Sequence, residues 1–201
     1  MTWGGTTLPE RRAARRAKLL AAGLDLLGTQ GSAAVAVRSV CRAAGLTDRY
    51  FYENFADRDA LLLAVYDQVA GEAKAALEQA VRDSADDPQS IAAAAVAAFL
   101  DVLTDDPRKG RVLLLEPMTD ATLSARGSEL MPVFADVVRA QLGDVSGLRA
   151  RMTATALIGA LSNLFVRWLD RSLAATRQEL ADYCVALLLA SGSLAGPAEA
   201  R

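Results

Sequence analysis

The sequence VRSVCRAAGLTDRYFYENF, residues 37–55, decides the fold of this chain. Apolar residues recur at helical spacing over residues 37–44 and predict a helix of about two turns. Gly45 then permits a tight turn, and Thr47 is suited to cap a third short helix, which we expect over residues 48–54. Two short helices joined by such a turn are the layout of a helix-turn-helix, whose second helix enters the DNA major groove.

The neighbouring sequence extends this pattern on both sides. A helix is predicted over residues 9–29, before the quoted stretch, and a long amphipathic helix over residues 58–83, after it. The first helix contains LLAAGLDLLG at residues 19–28, and the quoted stretch continues into ADRDAL at residues 56–61. Together these segments resemble the N-terminal domain of the TetR family of regulators. The resemblance covers about fifty residues, while the rest of the chain agrees with the family in helix count and length only.

The remainder of the chain is predicted to be helical as well. Apolar periodicity between prolines, aspartates and glycines predicts helices over residues 89–103, 108–115, 121–142, 148–173 and 177–191. Pro132 is expected to kink or divide the third of these helices. The predicted fold class is therefore all-α, with about nine helices.

The resemblance also implies a division into domains. We expect a flexible tail at residues 1–8, a helix-turn-helix DNA-binding domain at residues 9–56, and a helical ligand-binding and dimerisation domain at residues 57–195.

Charge is distributed unevenly along the chain. The formal net charge is −2, but residues 1–60 carry nine Lys and Arg against six Asp and Glu, which gives 9 − 6 = +3. The remainder therefore carries −2 − 3 = −5. A basic end on an acidic body is typical of a chain whose one end approaches phosphates.

Several classes of protein are disfavoured by what the sequence lacks. There is no histidine, and the two cysteines, Cys41 and Cys184, are far apart. We therefore expect no metal site, no cofactor, no disulfide and no enzymatic activity. The N-terminus lacks the order of a secretory signal, and the longest apolar stretch, residues 154–169, contains Ser162, Asn163 and Arg167. We expect a buried helix there, a cytoplasmic protein and no membrane partner.

The resemblance assigns contacts with double-stranded DNA. Tyr52 falls where the family places a phenol on a phosphate, and Arg58 stands where the family usually has lysine near the backbone. Arg49 and Tyr50 lie on the first turn of the recognition helix, where base contacts are expected. The full predicted DNA-binding set is Ser39, Thr47, Asp48, Arg49, Tyr50, Tyr52, Asn54 and Arg58.

Three features around this set qualify the prediction. Many family members have Gly-Thr-Leu-Tyr and then histidine where this chain has Arg49-Tyr50-Phe51-Tyr52 and Asn54, so the residues that read bases are expected to differ. Phe51 and Phe55 are expected in the core because their spacing of four puts them on the inward face. The arginines between Arg11 and Arg16 fit either a solvated helix start or a DNA contact.

The resemblance further implies a ligand cavity and a homodimer. Residues 152–169 are apolar on nearly every face, which independently favours burial against both the core and a second chain. The predicted cavity lining is Phe99, Leu103, Leu115, Met118, Met131, Phe134, Leu161, Asn163, Phe165, Arg167 and Trp168, with Asn163 and Arg167 as polar groups that orient the ligand. The predicted dimer interface is Leu157, Leu164, Leu180, Tyr183, Cys184, Leu187 and Leu188.

The predicted function is a DNA-binding repressor that binds a palindromic operator as a homodimer and is released by a small, largely apolar effector. A DNA-binding protein without a ligand is the main alternative, and a helical enzyme is a remote one. Activation instead of repression stays open, because the sign of regulation depends on where the operator lies.

Overall fold

The computed structural model describes residues 7–140 and 147–195, with side chains up to residue 192. These ranges contain nine α-helices and no strand, which confirms the predicted all-α class. The helices are α1 Leu8–Gln30, α2 Val37–Ala44, α3 Asp48–Tyr52, α4 Arg58–Asp83, α5 Pro88–Asp105, α6 Pro107–Gly110, α7 Ala121–Arg139, α8 Leu148–Leu169 and α9 Arg177–Ala195.

Side-chain caps fix where several helices begin. Thr7 and Glu10 form a capping box at the start of α1, in which the Glu10 carboxylate accepts from the Thr7 N–H at 2.6 Å. That backbone hydrogen bond holds the pKa of Glu10 below its ordinary value. Asp57, Asp87 and Asp120 each accept a first-turn N–H at the starts of α4, α5 and α7. These short polar residues satisfy donors that have no partner within the helix.

The first three helices pack around a small apolar core. Leu19 and Leu27 of α1, Val40 of α2 and Phe51 of α3 are completely buried, and Phe55 is 5% exposed. The rings of Phe51 and Phe55 lie 5.7 Å apart, centroid to centroid. The prediction that both phenylalanines are core residues is therefore confirmed.

Helix α4 connects these three helices to the body of the chain. Its buried stripe, Leu61, Leu62, Val65, Tyr66, Val69, Ala70 and Ala73, faces α1 near its start and α5 and α7 farther along. Helices α8 and α9 pack on each other, α9 also packs on α5, and α8 packs on α7. Between α6 and α7 the chain forms a π-helical turn, Arg111–Leu115, and a 3₁₀ turn, Glu116–Met118.

Some predicted boundaries are wrong. Pro132 does not divide α7, because it lies on the exposed side of the helix, where water can reach the carbonyl that its missing N–H leaves free. Helix α8 ends at Leu169 instead of residue 173, since Arg171 takes a left-handed conformation with φ of 64°. The recognition helix α3 ends at Tyr52, two residues earlier than predicted.

The predicted chain ends also differ from the structure or fall outside it. The first helix already begins at Leu8, within the predicted tail, while residues 1–6 lie outside the described part of the chain. The same holds for residues 141–142, where the seventh helix was expected to end.

Helix α8 satisfies the length and composition expected of a membrane-spanning helix, as some core helices of water-soluble proteins also do. Only 22% of its apolar window is buried within the chain. The buried side comprises Ala150, Ala154, Leu157, Leu161 and Phe165. The opposite side of α8, exposed in a single chain, carries small residues such as Ala156 and Gly159 together with the polar Asn163 and Arg167.

Candidate DNA interface and ligand cavity

The recognition helix α3 presents several predicted DNA-binding side chains to solvent. The Arg49 side chain is 84% exposed and Tyr52 is 59% exposed, while Thr47 and Asp48 are also exposed. Thr47 is the N-cap of α3 as predicted, but its hydroxyl does not accept a backbone N–H as expected. The hydroxyl therefore remains free of that capping bond.

The turn before α3 depends on glycine. Gly45 has φ of 64° and ψ of 36°, the left-handed conformation that costs other residues free energy. The Leu46 N–H donates to the Cys41 carbonyl at 2.9 Å and closes the end of α2. Burial of Cys41, together with its hydrogen bond to Asp48, raises the pKa of the thiol to about 11.

Arginines of α1 hold the C-terminal end of α3, a role that sequence reasoning missed. An Arg12 Nη donates to the Glu53 carbonyl at 2.6 Å, where the helix dipole favours a cation. The Arg15 guanidinium lies 4.4 Å from the centre of the Tyr50 ring and 3.6 Å from the Glu53 carboxylate. The same carboxylate also accepts from Arg49 at 3.1 Å. These contacts set the orientation of α3 on α1 and leave Tyr50 half-buried.

Three further members of the predicted DNA-binding set are engaged within the chain. The Ser39 hydroxyl accepts from the Ala36 N–H at 2.9 Å and so caps α2. The Asn54 amide donates to the Tyr50 carbonyl at 2.8 Å. Arg58 donates to the Val35 carbonyl at 2.8 Å and to the Ser32 carbonyl at 2.7 Å, and it pairs with Asp59 and Asp120.

An elongated cavity of about 670 Å³ lies in the body of the chain between α4, α5, α7, α8 and α9. Its lining is mostly aliphatic and aromatic, and Phe99 and Phe165 meet there with ring centroids 5.0 Å apart. The hydroxyl-bearing lining residues are Tyr66, Ser124, Ser128 and Ser162. Such a lining, apolar with few polar groups, is typical of sites for small apolar molecules.

Six residues of the predicted lining border the cavity: Phe99, Met118, Met131, Phe134, Leu161 and Phe165. Five do not border it in the described structure: Leu103, Leu115, Asn163, Arg167 and Trp168.

The geometry of α8 explains most of these exceptions. Its cavity face is Ile158, Leu161, Ser162, Phe165 and Val166, so Asn163 and Arg167 fall on the exposed side. Elsewhere, Leu103 is core, and the Trp168 indole N–H donates to the Ala175 carbonyl at 2.9 Å. Leu115 is replaced at the wall by its neighbours Leu113 and Leu114.

The predicted dimer residues are mostly internal. Leu157, Leu180 and Cys184 are buried within one chain, and Leu188 lines the cavity. Leu164 and Leu187 are half-buried against the core, so of the seven only Tyr183 is prominently exposed, at 60%. Helices α8 and α9 pack on each other within the chain, and α9 also packs on α5.

The segment between α6 and α7 joins the cavity wall to the helix-turn-helix. The Glu116 carboxylate, 4% exposed, accepts from the Ser32 N–H at 2.8 Å and from Arg111 at 2.8 Å. Its chain neighbours Pro117 and Met118 line the cavity. We call Arg111–Met118 the coupling corner, because it touches both the ligand cavity and the loop between α1 and α2.

The sequence of the N-terminal helices decides the family. The family described as bacterial regulatory proteins, tetR family, matches residues 19–65, which span the whole helix-turn-helix and the start of α4. The N-terminal helices of this chain therefore match the DNA-binding region of the TetR family.

Proteins similar to this chain agree with that match and with the fold. The HTH-type transcriptional activator FasR of Mycolicibacterium smegmatis is 28% identical over 170 residues, covering 83% of this chain and 76% of FasR. The fatty acid degradation regulator FadR of Bacillus halodurans superposes with a TM-score of 0.74 at 17% identity, covering 87% of this chain and 94% of FadR. FadR of Bacillus subtilis, solved in complex with stearoyl-CoA, also has a TM-score of 0.74, at 16% identity, covering 87% and 98% of the two chains.

Proposed function

We propose that this transcription regulator binds a palindromic operator as a homodimer and releases it when an acyl-chain ligand fills the cavity. The observation that carries the proposal is the presence, in one chain, of an exposed recognition helix and an apolar cavity that the coupling corner connects. The cavity favours this function over DNA binding without a ligand.

The DNA interface in this proposal centres on the exposed side chains of α3. Arg49 reads a base edge, because a guanidinium can donate two hydrogen bonds to guanine. Tyr52 and Thr47 donate to phosphates, and these contacts fix the position of α3 along the duplex. Ser39, Asn54 and Arg58 act mainly by holding the backbone around α2 and α3, as their internal hydrogen bonds support. Asp48 and the half-buried Tyr50 border the interface.

The homodimer in this proposal forms through the exposed faces of α8 and α9. On α8 this face contains Met152, Ala156, Gly159 and Ala160, and on α9 it contains Tyr183. Small residues let two helices approach closely, and the large apolar side chains provide the area that is removed from water. Pairing these faces would also cover the exposed side of α8.

An acyl chain suits the dimensions of the cavity. Tyr66 and Val81 both line it, and fifteen residues of α4 separate them, which corresponds to about 22 Å at 1.5 Å per residue. A site of that length can hold an extended hydrocarbon chain. The names of the two FadR proteins, and the stearoyl-CoA bound to one of them, support the same ligand class.

Control of DNA binding follows from the coupling corner. A ligand that moves Pro117 or Met118 also moves Glu116, which holds the loop leading into α2. The dimer can hold its two recognition helices at a spacing that fits the operator or at one that does not. If the ligand binds the second form more tightly than the first, it lowers operator affinity by the ratio of its two affinities. Repression results where the operator overlaps a promoter. FasR is named an activator, and an operator upstream of a promoter would give that sign.

Selection from a pool of random duplex DNA tests the proposal. Purified protein, run beside an Arg49→Ala, Tyr52→Phe double variant, should recover a palindromic site that the double variant binds at least tenfold more weakly. Arg82→Ala, at the far end of α4, is the matched control and should bind like the unmodified protein. Recovery of no site at low salt would contradict the proposal.

A further inference from the structure

Three of the four hydroxyl-bearing residues of the cavity lie toward one end, and the fourth, Ser162, lies on α8. Tyr66 lies on the half of α4 nearer the helix-turn-helix, and Ser124 and Ser128 lie on the first turns of α7. The other end is bordered only by apolar side chains and glycine in the described structure: Leu77, Val81, Pro88, Ile91, Val137, Val138, Leu188, Leu189 and Gly192. The cavity is therefore amphipathic along its length, with its polar end beside the coupling corner.

Tyr66 is the buried polar group at this end. It is 4% exposed, and burial raises the pKa of its phenol above the ordinary value. Its hydroxyl donates to the Leu113 carbonyl, but at 3.4 Å, long for an O–H···O bond. Gly127 makes room for the hydroxyl, since a Cβ there would lie 3.0 Å from the Tyr66 oxygen. A buried hydroxyl with one long bond has a strong tendency to take a better acceptor.

The charge of that acceptor follows from the rest of the lining. Among the described residues, none that border the cavity is charged. Arg126 acts electrostatically on the Tyr66 phenol, but it lies outside the lining and is already paired with Asp67 and Glu129. A carboxylate or ammonium placed beside Tyr66 would therefore lose hydration without gaining an ion pair within the cavity. An uncharged carbonyl accepts a hydrogen bond at a much smaller desolvation cost.

From these observations we propose that the effector is an amphipathic molecule with an uncharged carbonyl, as in an ester, thioester, amide or ketone. This carbonyl accepts a hydrogen bond from Tyr66, and the hydrocarbon tail extends toward Val81 and Val138. The inference rests on the proposed function and adds the orientation and chemical class of its ligand.

Occupancy of this position has a direct consequence for the coupling corner. Tyr66 has one hydroxyl proton, so donating it to the ligand frees the Leu113 carbonyl. Leu113 lies in the π-helical turn, three residues before Glu116. The ligand carbonyl thereby competes with the Leu113 carbonyl for the Tyr66 proton, and Leu113 belongs to the segment that carries Glu116.

A matched pair of probes tests the hydrogen bond. Methyl pentadecyl ketone and heptadecane have the same length and differ by one carbonyl, and each can displace N-phenyl-1-naphthylamine from the cavity. The unmodified protein should bind the ketone about tenfold more tightly, because a well-formed hydrogen bond replaces the long one to the Leu113 carbonyl. Tyr66→Phe should lose this preference yet bind heptadecane within twofold of the unmodified protein, which shows that the cavity is intact. Tyr183→Phe, at an exposed tyrosine, should keep the preference.

A second variant tests the orientation. Val81→Phe narrows the apolar end of the cavity. It should weaken the binding of methyl pentadecyl ketone and leave the binding of the shorter methyl nonyl ketone unchanged. Equal weakening of both ketones, or a ketone preference that survives in Tyr66→Phe, would overturn the inference. Displacement by heptadecane and the ketone with equal affinity would overturn it too, and leave the proposed function standing. If neither probe displaces the dye, the proposed ligand class itself is wrong.

Discussion

At the scale of single residues, Gly28 shows how tightly the DNA-binding helices pack on the body. A Cβ at Gly28 would lie 2.4 Å from the Arg108 Cβ and 2.8 Å from the Arg108 Cα, so the backbone of α6 would have to move. Arg108 also pairs with Asp25 of α1 at 3.2 Å. The absence of a side chain at Gly28 therefore allows α1 and α6 to meet.

Gly28→Ala should lower the free energy of unfolding by about 1–3 kcal/mol, the usual cost of overpacking. Gly71→Ala is the matched control, because Gly71 is a helical glycine with nothing within 4 Å of its Cβ position. It should raise stability by about 0.5–1 kcal/mol. Urea unfolding followed by circular dichroism measures both. Equal effects of the two substitutions would contradict the packing described.

The two cysteines predict a dependence of stability on alkaline pH. Burial raises the pKa of Cys184 to about 11 from an ordinary value of 9.0. Between these values the thiol ionises in the unfolded chain but not in the folded one, so stability is retained below pH 9 and declines as pH approaches 11. Cys184→Ala should make this decline shallower in unfolding measured from pH 8 to pH 11. If stability declines with pH as steeply in Cys184→Ala as in the unmodified protein, burial does not raise the pKa of this thiol.

At the scale of elements, the coupling corner is held by one buried carboxylate. Glu116→Ala removes the acceptor of the Ser32 N–H and the partner of Arg111. We expect the free energy of unfolding to fall by about 1–3 kcal/mol, because the Ser32 N–H is left without an acceptor. Glu116→Gln keeps an acceptor for Ser32 and should lose less.

Glu78→Ala is the control for this prediction, since it removes a solvent-accessible ion pair with Lys74 and should change stability little. Thermal unfolding ranks the three variants. In the same preparations, Glu116→Ala should weaken the effect of an acyl ligand on operator binding more than it weakens ligand binding. If the ligand changes operator affinity by the same factor in Glu116→Ala as in the unmodified protein, the cavity and the recognition helix are not coupled through Glu116.

Local signals made the helices predictable, whereas contacts between elements were not. The left-handed Gly45 and the cap Asp57 act on their own turns, so their spacing is visible in the sequence. Arg12 instead binds the carbonyl of Glu53, 41 residues away, and no local pattern shows that partner. Cavity wall and core were confused for a related reason, since Phe165 and Leu103 are both apolar and only the arrangement of helices separates them.

At the scale of the whole molecule, the sequence predicts a dimer interface of large leucines, several of which are buried within a single chain. Leu157 and Leu180 pack within the chain, while small residues with little hydrophobic signal remain outside. Gly159 is one of them, and nothing lies within 4 Å of its Cβ position in a single chain. A large charged residue there would therefore disturb no contact within the chain, and would disturb the homodimer if this face forms the proposed interface.

Gly159→Glu should convert the protein to a monomer at micromolar concentration without loss of helix content. Gly71→Glu, which introduces the same charge on α4, should leave the dimer unchanged. Sedimentation equilibrium with circular dichroism measures both properties. A Gly159→Glu protein that sediments as a dimer would place the interface elsewhere.

The central claim, that the cavity and the recognition helices are coupled, is tested most directly by operator affinity with and without ligand. Operator DNA from the selection is titrated with the protein in the absence and presence of saturating methyl pentadecyl ketone, and the reverse titration is made with ketone. We predict that the ketone weakens operator binding by about 5- to 150-fold and that the operator weakens ketone binding by the same factor, as linkage requires. Identical operator affinities in the two titrations would contradict the account.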